Sequence, residues 1–361
     1  MKATNLNPTY TVYIVSGTKK YNVTPAVSSM ERVEAKGEIA QRVNLELHNV
    51  LVDGVWLSSI LQPVNRVFVY ADDGSKQDEV FRGFLWDRNY KSSTDAHRLK
   101  VTAFDNLIYL QESEDTFYFP PRKSTEEIIS EICKEWGIKL EYTYYNVTNG
   151  KMPVTGKLYD ILTTDILDET ERQVGYYYSI ISDKDTMIVR TAGSNVDTYK
   201  FVVGENVSST SSTWTMEGVV TQVVVVGKAD EDEREPVELT QSRNTEKYGT
   251  LQKIHHRDED TAYHEALGEA ITTLIGNSNP KWEYEIIAPD VPWIRKGDAV
   301  FIDAGDITDR RLIVDTVRRT YDLKQSTMTL TLIDQYEKAE YLFWEETEQS
   351  AKDDLEHKYL A

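Results

Sequence analysis

The densest group of potential metal ligands lies between residues 255 and 265. His255, His256 and His264 flank the acidic run 258–260. Their order departs from the His-Glu-x-x-His motif of zinc proteases, because His264-Glu265 is followed by Ala-Leu-Gly. If His255 and His256 end a strand, their side chains point to opposite faces and cannot share one ion. The spacing favours a surface loop before a helix, so we predict no functional metal and no cofactor.

Nucleophilic and acid–base chemistry have equally weak support. The sequence contains no Gly-x-Ser-x-Gly elbow and no glycine-rich phosphate loop. Asp165, Asp168 and Glu169 share a predicted helix face, but a chain with 60 acidic residues produces such groups by chance. The single cysteine, Cys133, falls at an apolar position of a helical pattern, which favours a buried, inert thiol. We therefore predict that the protein is not an enzyme and has no catalytic residues.

Charge and hydropathy restrict the partners. The net charge of −20 disfavours binding to a nucleic-acid backbone, which depends on cationic side chains. Residues 1–20 lack the apolar core of a signal peptide, and no apolar run approaches the length of a membrane span. We expect synthesis in a bacterial cytoplasm without a signal peptide, no membrane insertion and no sequence-specific nucleic-acid binding.

The elements that would position any site begin with a β region. Alternating apolar residues predict short strands separated by Gly, Asp and Ser turns, at Thr9–Val15, Arg42–His48, Val67–Tyr70, Val80–Leu85 and Arg98–Phe104. The pair Pro120-Pro121 ends this region, because proline interrupts both helices and strands. The pattern is typical of a barrel or a sandwich.

A small α/β segment follows. Ser124 and Glu127 fit a capping box, which predicts a helix that ends at Gly137. A second helix is predicted over Asp160–Gln173. The remaining predicted elements are a strand and a hairpin, at Lys139–Tyr144, Tyr176–Ile181 and Thr186–Arg190.

Beyond this segment the chain returns to β structure. Gly218–Gly227 holds four consecutive valines, which predicts a strand buried on both faces. A helix is predicted over Thr261–Ile275, and a charged helix over Tyr336–Ala361. Between them lie four predicted strands, at Glu283–Ile287, Ala299–Asp303, Leu312–Arg318 and Thr327–Ile333.

The two β regions resemble each other, and the offset between matching residues shrinks smoothly along the chain. The matching pairs are Trp56 with Trp293 (offset 237), Val67 with Val300 (offset 233) and Asp105 with Asp334 (offset 229). A shrinking offset indicates shorter loops between strands that are kept. We interpret the pattern as an internal repeat, although any two four-strand meanders share some likeness.

Together these patterns predict a mainly β protein with α+β parts: two related β-barrels joined by a small α/β domain, plus a C-terminal helix. The predicted domains are a first β-barrel at 1–119, a small α/β domain at 120–205, a second β-barrel at 206–335 with a helical insertion at about 239–280, and the helix at 336–361.

Five segments resemble, in their order and spacing, the baseplate hub proteins of contractile tails, the XkdQ/YqbQ and late control protein D group. The segments are Ser124–Trp136, Asp160–Gly175 with the three tyrosines after it, Met216–Val223, Tyr248-Gly249 with the Ala-rich helix after it, and Ile294–Val300. The hub part of type VI secretion spike proteins is also similar. The resemblance covers residues 31–334 and leaves the C-terminal helix outside.

The resemblance implies a structural hub, in a phage, a prophage or a phage-tail-like bacteriocin. Such a hub is a homotrimer that joins the tail tube protein to the central spike protein and contacts other baseplate proteins. Two similar barrels per chain would let three chains present six similar units in a pseudo-sixfold ring. The alternative is a carbohydrate-active or peptidoglycan-degrading tail enzyme, or a carbohydrate-binding module, which the 7 Trp and 22 Tyr residues would suit.

The C-terminal helix is the candidate site for docking a partner. Tyr341, Leu342, Phe343 and Trp344 are consecutive, and three bulky neighbours cannot all lie on one helix face. Some of this apolar surface must point away from the parent domain, so we predict that it contacts another protein or subunit. The alternative is that the helix folds back and covers its own barrel.

Overall fold

A computed structural model describes residues 7–92, 97–196, 198–228, 235–257, 263–322 and 325–334. The described chain forms two compact units. The first contains the residues up to Ser212 and those from Tyr284 onward, and the second contains the described part of Thr213–Glu283. The domain boundaries proposed from the sequence stay predictions.

The first unit begins with nine strands and one short helix. These elements are β1 (Thr9–Ser16), β2 (Lys19–Asn22), β3 (Val27–Glu34), β4 (Arg42–His48), β5 (Leu51–Val52), β6 (Val55–Trp56), α1 (Leu57–Ile60), β7 (Arg66–Asp72), β8 (Gln77–Ser92) and β9 (His97–Phe104). We call this region the first module. Its core is formed by the inward residues of the strands and by α1.

The small α/β segment is next. It contains α2 (Ile108–Glu112), β10 (Glu114–Phe119), α3 (Thr125–Glu135), β11 (Lys139–Thr143), β12 (Met152–Lys157), α4 (Leu158–Asp160), a π-helical stretch (Ile161–Leu167), α5 (Asp168–Val174), β13 (Tyr178–Asp183) and β14 (Thr186–Thr191). The predicted capping box is confirmed, because Ser124 and Glu127 exchange backbone and side-chain hydrogen bonds at the start of α3. The predicted burial of Cys133 is also confirmed, and burial raises its thiol pKa to about 12.

The rest of the chain adds β15 (Tyr199–Val202), β16 (Ser209–Thr215), β17 (Gln222–Val226), β18 (Val237–Ser242), α6 (Thr245–Tyr248), β19 (Gln252–His256), α7 (Tyr263–Asn277), β20 (Lys281–Pro289), β21 (Ala299–Ala304), β22 (Ile307–Asp322) and β23 (Ser326–Asp334). We call β15, β16 and β20–β23 the second module. In the second unit, α7 packs against β17, and the predicted burial of Val223–Val226 on both faces is confirmed.

The two β regions share one sheet, so the predicted arrangement of two separate barrels is not confirmed. Among the described residues we find no closed barrel. Instead, 13 strands form one sheet whose path runs β16-β20-β23-β22-β3-β4-β9-β8-β7-β1-β2, with β21 and β15 continuing from β22. The reason is the length of β22, which extends past its own module and pairs with β3 of the first module. Each module nevertheless has its own apolar core.

The internal repeat is present in the pairing of the strands. The order β4-β9-β8-β7 of the first module recurs as β20-β23-β22-β21 in the second, with every pair antiparallel. Leu85 lies opposite Ala103, and Val314 lies opposite Leu332, so both residues are shifted by 229. A β-bulge follows Leu85 in one hairpin and Val314 in the other. A shared bulge at the same offset argues against a chance likeness, because bulges are specific local features.

The loops before β7 and β21 repeat the same hydrogen bonds. Val64 N–H donates to the carbonyl of Leu85 at 2.9 Å, and Gly297 N–H donates to the carbonyl of Val314 at 2.7 Å. Val64 and Gly297 both have a positive φ, of 57° and 80°. The repeat therefore includes an unusual backbone conformation that a β-branched residue rarely adopts.

The loop at residues 291–298 joins the second module to both of its neighbours. Ile294 is buried in the second core. Arg295 donates to the Glu34 carboxylate of the first module at 2.8 and 2.9 Å, and to the carbonyl of Ser182 in the small α/β segment at 2.9 Å. Asp298 pairs with Arg190 of that segment. This short loop thus contacts the first module, the small α/β segment and the core of its own module.

We expect Gly297→Ala to unfold this meeting point. A Cβ at Gly297 would lie 2.2 Å from the Cβ and Oγ of Ser179, in a backbone conformation of φ 80°. Left-handed strain of about 1–2 kcal/mol would add to overpacking of about 1–3 kcal/mol. Gly74→Ala is the control, because Gly74 has φ 82° and open space around it. Thermal unfolding should show a much larger loss for Gly297→Ala, and equal losses would contradict the close contact.

Asp105 holds the corner where the first module meets the small segment. Its side chain is buried, and its two carboxylate oxygens accept the backbone N–H groups of Gln41 and Leu107, each at 2.9 Å. Burial outweighs these bonds and raises the Asp105 pKa to about 7. Burial likewise raises the pKa of Glu171 in α5 to about 8.

We expect stability to fall as the pH rises from about 5 to about 8. An acid whose pKa is raised on folding binds more protons in the folded state, so its contribution is complete below its unfolded pKa and is lost through the folded pKa. The ordinary values are 3.8 for Asp105 and 4.5 for Glu171. Each group adds a slope of at most about 1.4 kcal/mol per pH unit. Urea unfolding should show this slope reduced in Asp105→Asn and in Glu171→Gln. A slope that neither variant changes would contradict the assignment.

Candidate assembly surface

The pairing of β3 with β22 is the junction between the two modules. Its register is antiparallel, with Val317 opposite Glu34, Arg319 opposite Arg32 and Tyr321 opposite Met30. Because β3 also pairs with β4, it has a neighbour on each edge. The junction shows how one module attaches to another through strand edges.

Buried charged groups lie beneath this junction. Arg319 donates to the Asp290 carboxylate at 3.0 Å, and both side chains are nearly inaccessible to solvent. Tyr10 of the first module and Ser326 donate to the other carboxylate oxygen of Asp290. Burial and the neighbouring Asp290 raise the pKa of Tyr10, so its hydroxyl keeps its proton and donates. Asp290 therefore binds groups from both modules.

A second ion pair, between Glu34 and Arg295, adds to the pair of Arg319 and Asp290. Burial favours the neutral form of Glu34, but the guanidinium groups of Arg295, Arg319 and Arg32 outweigh it and lower the Glu34 pKa. Burial and the nearby Arg319 lower the pKa of Arg32 to about 10, which leaves it charged at neutral pH. Arg32 donates to the carbonyl of Pro292 at 2.7 Å. Breaking such a pair would leave a buried charge without compensation.

The far half of β8 forms an open edge. Residues 86–92 are exposed and pair only with β9 among the strands of the described chain. Tyr90 stacks on His97, and Arg88 donates to the carbonyls of Ser58 and Leu61 at 2.6 and 2.9 Å. This edge is ordered by its own contacts and presents unpaired backbone groups.

A second open edge belongs to β16, which ends the path of the large sheet beside β20. Ser208 N–H donates to the carbonyl of Ile287 at 2.8 Å, just before β16 begins. Ser209 and Ser211 are exposed. Serine and threonine dominate this strand, so apolar periodicity could not reveal it in the sequence.

The repeat relates these two edges to the junction. At the offset of 229, residues 88–92 of β8 correspond to residues 317–321 of β22, which pair with β3. Beside β20, β16 holds the place that β3 holds beside β4. One chain therefore carries one completed junction and the two separate halves of another.

Exposed apolar side chains lie in the loops of the first module. The exposed fractions are 57% for Leu51, 53% for Trp56 and 59% for Val64. Leu51 and Trp56 face each other across the β5–β6 hairpin. Leu51 and Trp56 thus form an exposed apolar pair, and neighbouring exposed apolar groups are typical of a protein contact.

Other residues were singled out from the sequence. Tyr341, Leu342, Phe343 and Trp344 lie outside the described residues. His255 and His256 end β19, as the sequence analysis considered; the first lies 3.2 Å from the Thr273 hydroxyl and the second 3.2 Å from the Glu235 carboxylate. The side chain of His264 is outside the described part. Within the ranges described, no group of three or more metal-binding side chains occurs and no helix is long and apolar enough to cross a bilayer.

Comparison with solved structures supports a tail-protein fold. The 43 kDa tail protein of prophage MuSo2 from Shewanella oneidensis aligns with a TM-score of 0.70 and 13% identity, covering 90% of this chain and 98% of that one. A tail protein from Neisseria meningitidis MC58 aligns with a TM-score of 0.63 and 12% identity, covering 90% and 96%. The E. coli c3393 protein, a component of the type VI secretion system, aligns with a TM-score of 0.53 and 9% identity, covering 91% and 77%.

Sequence comparison agrees with this fold. Protein XkdQ of the phage-like element PBSX from Bacillus subtilis is 24% identical over 308 residues, which are 82% of this chain and 93% of that protein. The sequence model of the YQBQ-like family matches residues 57–333, which include the first module from α1 onward and the chain that follows it, almost to the end of β23. The chain therefore belongs to the YQBQ-like family.

Proposed function

We propose that the protein is a structural hub of a phage-type tail baseplate, assembled as a homotrimeric, pseudo-sixfold ring. The observation that carries the proposal is the pair of open strand edges, which match the two halves of the junction inside the chain. In the ring, residues 88–92 of β8 pair with β16 of the next copy, as β22 pairs with β3 within one copy. Three chains then supply six modules joined by six similar strand pairings.

The open edges favour a closed assembly of copies. Long unpaired edges promote uncontrolled association unless they are covered, and a head-to-tail contact that closes into a ring leaves no edge exposed. The two edges differ from each other, so each copy uses one for each neighbour. The buried charges of the internal junction have no counterpart here, because Tyr90 and a serine of β16 stand where Arg319 and Arg32 stand.

The proposed role is mechanical. The ring would join the tail tube protein to the central spike protein and contact other baseplate proteins of the particle. The similarity to tail proteins and the absence of a catalytic signature in the sequence support a protein without enzymatic activity. A peptidoglycan-degrading tail enzyme is the alternative. Release of soluble fragments from purified peptidoglycan by the isolated chain would favour it.

We expect a disulfide between copies in a Ser92→Cys, Ser209→Cys double variant. Ser208 stands beside Ile287 as Ser29 stands beside Glu46, and Ser29 lies opposite Asp322 in the junction. The offset of 229 then places Ser92 opposite Ser209 of the next copy. Directly opposed residues of antiparallel strands are about 4.5–5.5 Å apart at Cα, which suits a disulfide. Oxidation should give covalent trimers on a non-reducing gel.

The control is an Asn89→Cys, Ser209→Cys variant. The shift of three residues separates these thiols by about 10 Å along the strand, too far for a disulfide. The natural cysteine is buried and should not interfere. Equal cross-linking of both variants, or native mass spectra that show a monomer at every concentration, would contradict the ring.

We also propose that the segment 336–361 docks on a neighbouring protein through Tyr341, Leu342, Phe343 and Trp344. Burial of one such aromatic contributes about 1.5–3 kcal/mol to binding. Deleting residues 337–361 should leave the thermal midpoint of the isolated chain unchanged but prevent its incorporation into particles. A large loss of stability in the isolated chain would instead assign the segment to its own fold.

A further inference from the structure

Trp293 fastens the second module onto the first within one chain. Its indole N–H donates to an oxygen of Asp73, in the β7–β8 turn, at 2.6 Å. The ammonium group of Lys76, in the same turn, lies 4.3 Å from the centre of the ring. The ring also packs against the cores of both modules. This tryptophan therefore anchors one module on a turn of the other.

Trp56 holds the equivalent place in the first module. It precedes Leu57 as Trp293 precedes Ile294, and Leu57 and Ile294 are each fully buried in their own cores. The two tryptophans differ in their surroundings, since Trp56 is 53% exposed while Trp293 is half-buried. Trp56 is thus the equivalent of Trp293 in the first module, but it is not covered as Trp293 is covered.

That surface exists elsewhere on the chain. The β21–β22 turn, at Gly305 and Asp306, corresponds to the β7–β8 turn that receives Trp293, because β21 and β22 correspond to β7 and β8. Asp306 is exposed and accepts the Ser212 hydroxyl with one carboxylate oxygen. Like Asp73, it presents a carboxylate at the tip of a hairpin, where an indole N–H could bind.

We propose that Trp56 docks on the β21–β22 turn of a second copy of this chain, with its indole N–H donating to Asp306. The proposal rests on the ring proposed above and names the residue pair that holds neighbouring copies together. The proposed contact has the same polarity as the strand pairing. At the internal junction, the second module provides both β22 and Trp293, and the first module receives both. Between copies, the first module would provide both β8 and Trp56, and the second module of the next copy would receive both.

The repeat is the reason to choose a second copy as the occupant. The internal contact already joins an equivalent tryptophan to an equivalent turn, so the surface complementary to Trp56 is encoded in the same sequence. Leu51 is exposed opposite Trp56 in the β5–β6 hairpin and would be covered in the same contact. Interface energy concentrates on buried tryptophans of this kind.

The test measures self-association of the full chain by sedimentation over a range of concentrations. Trp56→Ala should raise the dissociation constant about 30-fold, a loss typical of a central tryptophan, while the thermal midpoint of the monomer stays unchanged. Tyr118→Ala is the matched control, because Tyr118 is 59% exposed and lies on β10, away from the proposed contact. It should associate like the unchanged chain.

A double-mutant cycle with Trp56→Phe and Asp306→Ala tests the hydrogen bond itself. Each change should weaken association, and the double variant should lose little more than the single ones, because both remove the same bond. Fully additive losses would overturn the pairing with Asp306. If Trp56→Ala associates as tightly as the unchanged chain while Ser92→Cys, Ser209→Cys still cross-links, the ring stands and the docking role is wrong. A chain that neither associates nor cross-links would overturn both proposals.

Discussion

The pairing of β3 with β22 is the constraint on which the rest of the first unit depends. It converts two strand meanders with separate cores into one sheet, and it does so over six residue pairs. Backbone bonds alone would hold this edge weakly, since the register of polar strands slips easily. The buried ions beneath it remove that freedom. Two of the contacts made by these ions cross between the modules, Arg295 with Glu34 and Tyr10 with Asp290, and both fit the observed register. A slip of one residue would leave charges buried without partners, at a cost of several kcal/mol.

The internal junction and the proposed junction between copies face different constraints, and the composition of their strands differs accordingly. The internal junction forms once, as the chain folds, so the cost of desolvating four ionised groups is offset within the folded chain. An edge that must stay exposed before assembly cannot present such groups as a preformed, dry network. The β8 and β16 edges instead carry serine, threonine and tyrosine, with Lys91 and Arg88 on β8. Charged residues on an open edge limit unwanted strand addition.

Much of the fold could be predicted from the sequence. The predictable strands are those in which apolar and polar residues alternate, because such strands bury one face. Arg42–His48 coincides with β4, and the repeat found from Val67, Asp105 and their partners reappears in the register of the strands. The predicted arrangement of two barrels is not confirmed, and the strand that joins the two β regions, β3, was not predicted from the sequence. Its burial pattern places polar Arg32 and Glu34 among buried residues, and apolar periodicity reads such a strand as a loop. The assembly edges were missed for the same reason, since β16 has almost no apolar side chains. Only the pairing pattern, which is not local in sequence, identifies them.

The position of the second unit explains how the repeat tolerates a large insertion. In the first module, β3 and β4 are joined by residues 35–41, a short connection. In the second module, β16 and β20 correspond to β3 and β4. The chain between β16 and β20 runs through β17–β19 and α7. The ends of two adjacent antiparallel strands lie close together, so a segment that leaves along one strand and returns along the other need not alter the sheet. The offset between the modules stays at 229 across the β8–β9 and β22–β23 hairpins because the two hairpins are equally long, with Ser92 opposite His97 in one and Tyr321 opposite Ser326 in the other. The junction, the open edges and the tryptophan loops all belong to the conserved part of the repeat. The largest difference in length between the modules therefore lies in one connection, between β16 and β20, and it leaves the pairing of the strands unchanged.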